Sequence, residues 1–119
     1  MRRRGIRLGV LLLIMAVSSA ATADNNSWFE FSQAVKVSWL LKVKSAEVNY
    51  VHPDSAAKQA GIQVGDVITA VGGCAIPGCP SSKARQAMDI PVGQSQVFRF
   101  RRPGGEEFEV ELTAVEWPG

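Results

Sequence analysis

The chain has 119 residues, 46% of them apolar and 20% charged, with no low-complexity tract or internal repeat. That is enough for one globular domain and too short for two. The formal charge of +2 comes from Arg2, Arg3, Arg4 and Arg7; the rest has nine basic and eleven acidic residues, −2, which excludes a clustered basic nucleic-acid surface.

Those four arginines open the chain and precede an apolar run from Leu8 to Val17. The run has the size of a signal-peptide core and is short for a spanning helix. Ala21-Thr22-Ala23 is a small-x-small cleavage pattern. Residues 1–23 therefore read as a signal peptide, and the protein as periplasmic or secreted. The competing reading is an uncleaved anchor, the one case that would place the chain at a membrane.

Residues 24–34, with Trp28, Phe29 and Phe31, read as a lead-in, either strand or helical turn. Val35, Val37, Trp39, Leu41 and Val43 alternate with Lys36, Ser38, Leu40, Lys42 and Lys44. Period two predicts one strand with a buried face, Trp39 and Leu41 inward and Leu40 outward. Glu47–Val51 predicts a second strand, ended by Pro53.

Ser55–Ala60 predicts a short helix capped by Asp54 or Ser55, with Gly61 just past its end. Val64-Gly65-Asp66 predicts a tight turn, with Asp66 satisfying backbone donors, and a strand follows to Val71. Ser81 or Ser82 can cap a second helix reaching about Asp89, stopped by Pro91 and Gly93. Strands over Ser95–Arg102 and Glu107–Val115 flank a Pro103-Gly104-Gly105 turn, with Phe98, Phe100, Phe108, Val110 and Leu112 inward. Pairing them sets the arginines at 99, 101 and 102 against the glutamates at 106, 107, 109 and 111. The fold class is α+β, mainly β: a partly open barrel or sandwich of five or six strands capped by two short helices.

Cys74 and Cys79 are the only cysteines. In an exported chain an even count reads as a disulfide, here closing a loop that turns at Pro77-Gly78. A redox pair is the sharper alternative. Two thiols and the single histidine, His52, do not make a tetrahedral metal site. No metal and no cofactor is expected.

The stretch V-N-Y-V-H-P-D-S-A-A-K-Q-A-G-I-Q-V-G-D-V-I-T-A-V-G-G, Val48 to Gly73, resembles the central pattern of PDZ domains of exported bacterial proteins. The resemblance implies a PDZ-like domain over residues 35–116 that takes an extended protein or peptide segment, often a free C-terminus, as an added strand. It implies a receiving strand at Val37–Val43, with Val37, Ser38, Trp39, Leu40 and Leu41 as peptide contacts. It implies a groove helix over about Ser82–Ile90, with Lys83, Gln86, Ala87 and Ile90 facing the ligand, Lys83 favouring an acidic side chain. The family's carboxylate-binding loop is hydrophobic-Gly-hydrophobic. The nearest triplets, Val37-Ser38-Trp39 and Trp39-Leu40-Leu41, have no glycine, which counts against C-terminal recognition.

A rival reading of the groove remains. Trp28, Phe29 and Phe31 could fill the groove from within, making the chain a structural or assembly subunit. A serine-protease triad is not indicated, because Ser55 reads as a cap and His52 as a turn residue. The expectation is a binding module without catalysis, an adaptor for an envelope enzyme or assembly.

Overall fold

The computed structural model describes residues 26–118, so the leader expected over residues 1–23 lies outside the described residues. The elements run β1 (Ser27–Trp28), β2 (Phe31–Val37), β3 (Val43–Val51), α1 (Ala56–Gln59), β4 (Val67–Val71), β5 (Cys74–Ala75), α2 (Ser81–Met88), β6 (Ser95–Arg101), β7 (Glu107–Thr113) and β8 (Val115–Glu116). One antiparallel sheet has the order β2-β3-β4-β6-β7, with β5 beside β4, and a two-stranded sheet joins β1 to β8. The fold class is as expected, mostly β with two short helices.

Phe98 and Phe100 alternate with arginines along β6, so both rings turn to one face and are fully buried. Val48, Ile68, Val71 and Leu112 belong to the same core. The opposite face carries the expected charges: Arg99 lies across from Glu109, Arg101 from Glu107. Arg99 and Glu107 approach to 3.7 Å, but both are half exposed, and such a pair stabilises by less than about 1 kcal/mol.

The lead-in over residues 24–34 is part of the domain from Ser27 onward. Phe29 and Phe31 are buried and meet Phe98 edge-on, with ring centroids 5.0 and 5.6 Å away. They fill the core.

The single strand expected through Val35–Val43 is a hairpin. Strand β2 ends at Val37, and β3 starts at Val43 and pairs back on it. The Leu41 N–H donates to the Ser38 carbonyl at 2.9 Å, and the Ser38 N–H donates to the Lys42 carbonyl at 2.8 Å. Leu41 takes the left-handed conformation, φ 62°. Trp39, Leu40 and Leu41 therefore stand exposed at the hairpin tip, and only Val43 of the expected inward set is buried. Alternating apolar and polar residues fit a strand and a hairpin equally well, and no Gly, Asn or Pro marks this turn.

The turn chemistry of the central stretch is as read. The Lys58 N–H donates to the Ser55 hydroxyl at 3.0 Å, which caps α1. Gly61 follows the helix with φ 92°. Asp66 is fully buried; its Oδ2 accepts from the Gln63 N–H at 2.9 Å and from Arg102 at 2.8 Å. Arg102 also donates to the Gly61 carbonyl and lies 4.2 Å from the centroid of the Phe108 ring. One arginine from the closing hairpin thus locks the turn between α1 and β4.

Neither Ser81 nor Ser82 caps α2. Ser81 is its first helical residue, and Pro80 stands at the cap without a side-chain bond. The helix entry is fixed by backbone instead: the Ser81 N–H donates to the Leu41 carbonyl and the Val43 N–H to the Cys79 carbonyl, at 2.9 and 2.7 Å. Cys74 and Cys79 stand at disulfide-bonding distance, Cα atoms 5.5 Å apart, and close the loop that leads into α2.

Candidate functional site

Among the described residues, strand β2 is the end strand of its sheet, hydrogen-bonded to β3 on one side only. An edge strand presents unpaired backbone N–H and C=O groups to a further strand. Helix α2 stands across from that edge, and a cleft runs between them. Its narrow middle, about 40 Å³, is walled by Gln33 and Val35 of β2 and by Ala84 and Met88 of α2, with Val43, Ala46, Ile68, Val71 and Ile76 beneath.

Toward the start of β2 the cleft widens to about 330 Å³ between Trp28, Phe29, Phe31 and Ser32 on one side and Met88 and Asp89 on the other. Trp117 closes this end and meets Trp28 edge-on at 4.5 Å. The position of the walls is fixed by three contacts. Strand β8 pairs with β1, the Trp117 N–H donates to the Asn26 carbonyl, and the Ser27 hydroxyl donates to the Ile90 carbonyl at 2.7 Å.

The loop that enters β2 reads Phe29-Glu30-Phe31. Glu30 has φ 68°, a conformation glycine adopts without strain and other residues resist. Its carbonyl accepts from the His52 N–H at 2.9 Å and its carboxylate from the Ala56 N–H, at the start of α1, at 3.1 Å. The side chain compensates the backbone strain by satisfying a helix-end donor.

Of the expected site residues, Val37 is the last residue of the edge strand Phe31–Val37, while Ser38, Trp39, Leu40 and Leu41 form the tip beyond it. On α2 the cleft side is Ala84 and Met88, one helical turn apart. Lys83, Gln86 and Ala87 line a separate recess of about 470 Å³ against Val71, Gly72, Gly73 and Cys74. Ile90 lies past the helix, packed against the core. The helix was legible from sequence but its rotation was not. The signal was there: in an otherwise polar helix Ala84, Ala87 and Met88 are the only apolar side chains, and they recur at helical spacing. A hydrophobic-x-hydrophobic triplet also stands at Phe29-Glu30-Phe31, ahead of β2, with Glu30 in the middle position.

The one serine–histidine neighbourhood does not form a nucleophile and its base. The Ser55 hydroxyl donates to the His52 backbone carbonyl at 2.6 Å, while the His52 ring faces the Tyr50 hydroxyl through Nδ1 at 3.2 Å.

A family model described as a PDZ domain matches residues 47–102. No curated protein sequence matches the chain. The fold is similar to the photosystem II D1 C-terminal processing protease, at 21% identity and a TM-score of 0.61, covering 80% of this chain and 24% of that one. It is also similar to the PDZ domain of a carboxy-terminal protease from Vibrio cholerae, solved with a peptide, at 13% identity and a TM-score of 0.53, covering 75% of this chain and 95% of that one. The chain thus spans about a quarter of the length of the D1 processing protease.

Proposed function

We propose that the chain, whose residues 47–102 match a PDZ-domain model, is an exported module that binds extended protein segments by strand addition to the free edge of β2. The observation that carries this reading is that edge facing an apolar cleft, with Ala84 and Met88 opposite Gln33 and Val35. Main-chain bonds to Phe31–Val37 supply affinity that is blind to sequence, and the cleft supplies selection. The wider end accepts the ligand's last apolar side chain between Phe29, Phe31 and Met88. Glu30, with φ 68°, gives the loop beside it the bend a glycine would give.

The module has no catalytic step of its own and acts as an adaptor for a separate envelope enzyme or assembly. In this reading Ser55 is committed to capping α1. Export is supported by the arginine-led apolar segment before Ala21-Thr22-Ala23 and by two cysteines at bonding distance, an arrangement that persists in oxidising compartments. The pair serves as a clip. Cys79 is buried, and the Cys79 carbonyl and the Gly78 N–H both bond to Val43, so the clip fixes α2 relative to β3.

The test is binding of the oxidised full chain to peptides of random sequence with free or amidated C-termini. Binding that requires the free carboxylate establishes the Phe29–Phe31 loop as the anchor; binding indifferent to amidation assigns internal segments. Absence of binding across the library refutes the reading.

A further inference from the structure

The hairpin tip between β2 and β3 takes no part in the groove. Trp39, Leu40 and Leu41 are 89%, 57% and 68% exposed, more than any other stretch of large apolar side chains among the described residues. Val37, at the base of the tip, is also exposed. Three lysines, Lys36, Lys42 and Lys44, surround it, all exposed, and none is in an ion pair among the described residues. No acidic residue occurs between Glu30 and Glu47.

Leu41 adds an independent observation. It sits at φ 62°, where glycine or asparagine would be unstrained, and its side chain touches mostly solvent. A strained conformation held by a bulky apolar residue without a packing reward points to a use for that side chain outside the fold. The tip is also rigidly presented. The Leu41 carbonyl accepts from Ser81, the Lys42 N–H donates to the Ser38 hydroxyl, and Lys42 bridges to Pro80.

We propose that this tip docks the protein onto an anionic lipid surface, Trp39, Leu40 and Leu41 entering the headgroup–acyl boundary and the three lysines contacting lipid phosphates. Tryptophan and leucine suit that boundary, where an amphipathic ring sits at headgroup level. The lysine collar favours lipid over a protein surface, because lysine is depleted in protein–protein contacts. The charge distribution orients the approach. Residues 31–46 carry +3, whereas the remainder after Ala23 has six basic and eleven acidic residues, −5. A negative surface therefore attracts the tip and repels the rest of the domain.

The experiment compares the full chain with two variants on vesicles of phosphatidylcholine alone and mixed with phosphatidylglycerol. Each lysine near an anionic surface is worth about fivefold in partitioning, so Lys36→Gln/Lys42→Gln/Lys44→Gln is expected to lose about a hundredfold on the mixed vesicles. Leu41→Gly with Leu40→Ser is expected to lower partitioning while leaving the melting temperature equal or higher, since glycine relieves the strain at φ 62°. A local readout separates the tip from any binding by the leader: the Trp39 emission, taken as the difference between the parent and Trp39→Ser in excess vesicles, is expected to be quenched by acyl-brominated lipid. Equal partitioning of all variants with an unquenched Trp39, or equal affinity for neutral and anionic vesicles, overturns the proposal. So does a lipid-independent dimer that the tip substitutions abolish, which would assign the surface to a second copy.

Discussion

Replacing Phe31 by alanine tests where the domain begins. The ring is buried, packs edge-on against Phe98 and Phe100 with centroids 5.6 and 5.9 Å away, and opens the groove strand. Deleting a buried phenylalanine costs about 3–5 kcal/mol, a transfer loss plus the cavity left behind. A domain of about 90 residues has on the order of 5–14 kcal/mol to lose, so Phe31→Ala removes about a fifth of it or more. The melting temperature should fall by about 15–30 °C, and the urea midpoint should fall at an unchanged slope. Trp39→Ala is the control. The alternation along residues 35–43 places Trp39 in the core, but the ring is 89% exposed, and its loss should change stability by less than about 0.5 kcal/mol. Chemical denaturation followed by circular dichroism reads both. A cost below about 1 kcal/mol for Phe31→Ala would take the lead-in out of the core, and one above 2 kcal/mol for Trp39→Ala would refute the hairpin and restore a continuous strand.

Asp66→Ala breaks the buried bond to Arg102 and the bond to Gln63, and should cost about 2–4 kcal/mol in the same denaturation assay. Combined with Arg102→Leu, the double variant should cost clearly less than the two singles together; strict additivity would show that the pair is not coupled. Met88→Ala, which enlarges both parts of the cleft, should weaken a selected peptide about tenfold by titration calorimetry, whereas Lys83→Ala, in the separate recess, should leave it within about twofold. Reduction of the Cys74–Cys79 pair should lower stability by about 2 kcal/mol, the chain-entropy value for so short a loop, and hydrogen exchange should rise first at Val43 and Gly78.

What was legible in the sequence was local chemistry. Ser55, Gly61 and Gly65 announce a cap, a helix end and a turn, because each residue type solves a backbone problem within a few positions of itself. Phe98 and Phe100 announce a buried face by period alone. What was not legible depends on partners far along the chain. Arg102 reaches Asp66 across 36 positions, and no local pattern distinguishes it from Arg101, which points to solvent. The rotation of α2 is set by the sheet it covers. The turn at Ser38–Leu41 was hidden because it uses a leucine where turns ordinarily use glycine, and the β2 entry loop because it uses Glu30 in the same way. Both misreadings arose at residues with positive φ.

Those two positions bracket β2. Glu30 bends the chain into the strand, Leu41 bends it out toward β3, and the seven residues of Phe31–Val37 span about 20 Å between the loop and the tip. A peptide that pairs antiparallel to β2 with its last residue at the Phe29–Phe31 loop runs back past Val37 toward Trp39. Its upstream residues therefore leave the groove on the side that the lysine collar presents to lipid. Taken together, the two proposals define the ligand more narrowly than either does alone: an extended segment whose upstream part is held at a membrane. Tethering such a segment to a vesicle raises its effective concentration at the groove, so a lipid-anchored peptide should bind more tightly than the same peptide in solution. The gain should fall sharply in Lys42→Gln/Lys44→Gln, which lie outside β2, while affinity for the soluble peptide stays unchanged. Equal affinity for anchored and soluble peptide in the parent would separate the groove from the tip and leave them as unrelated surfaces.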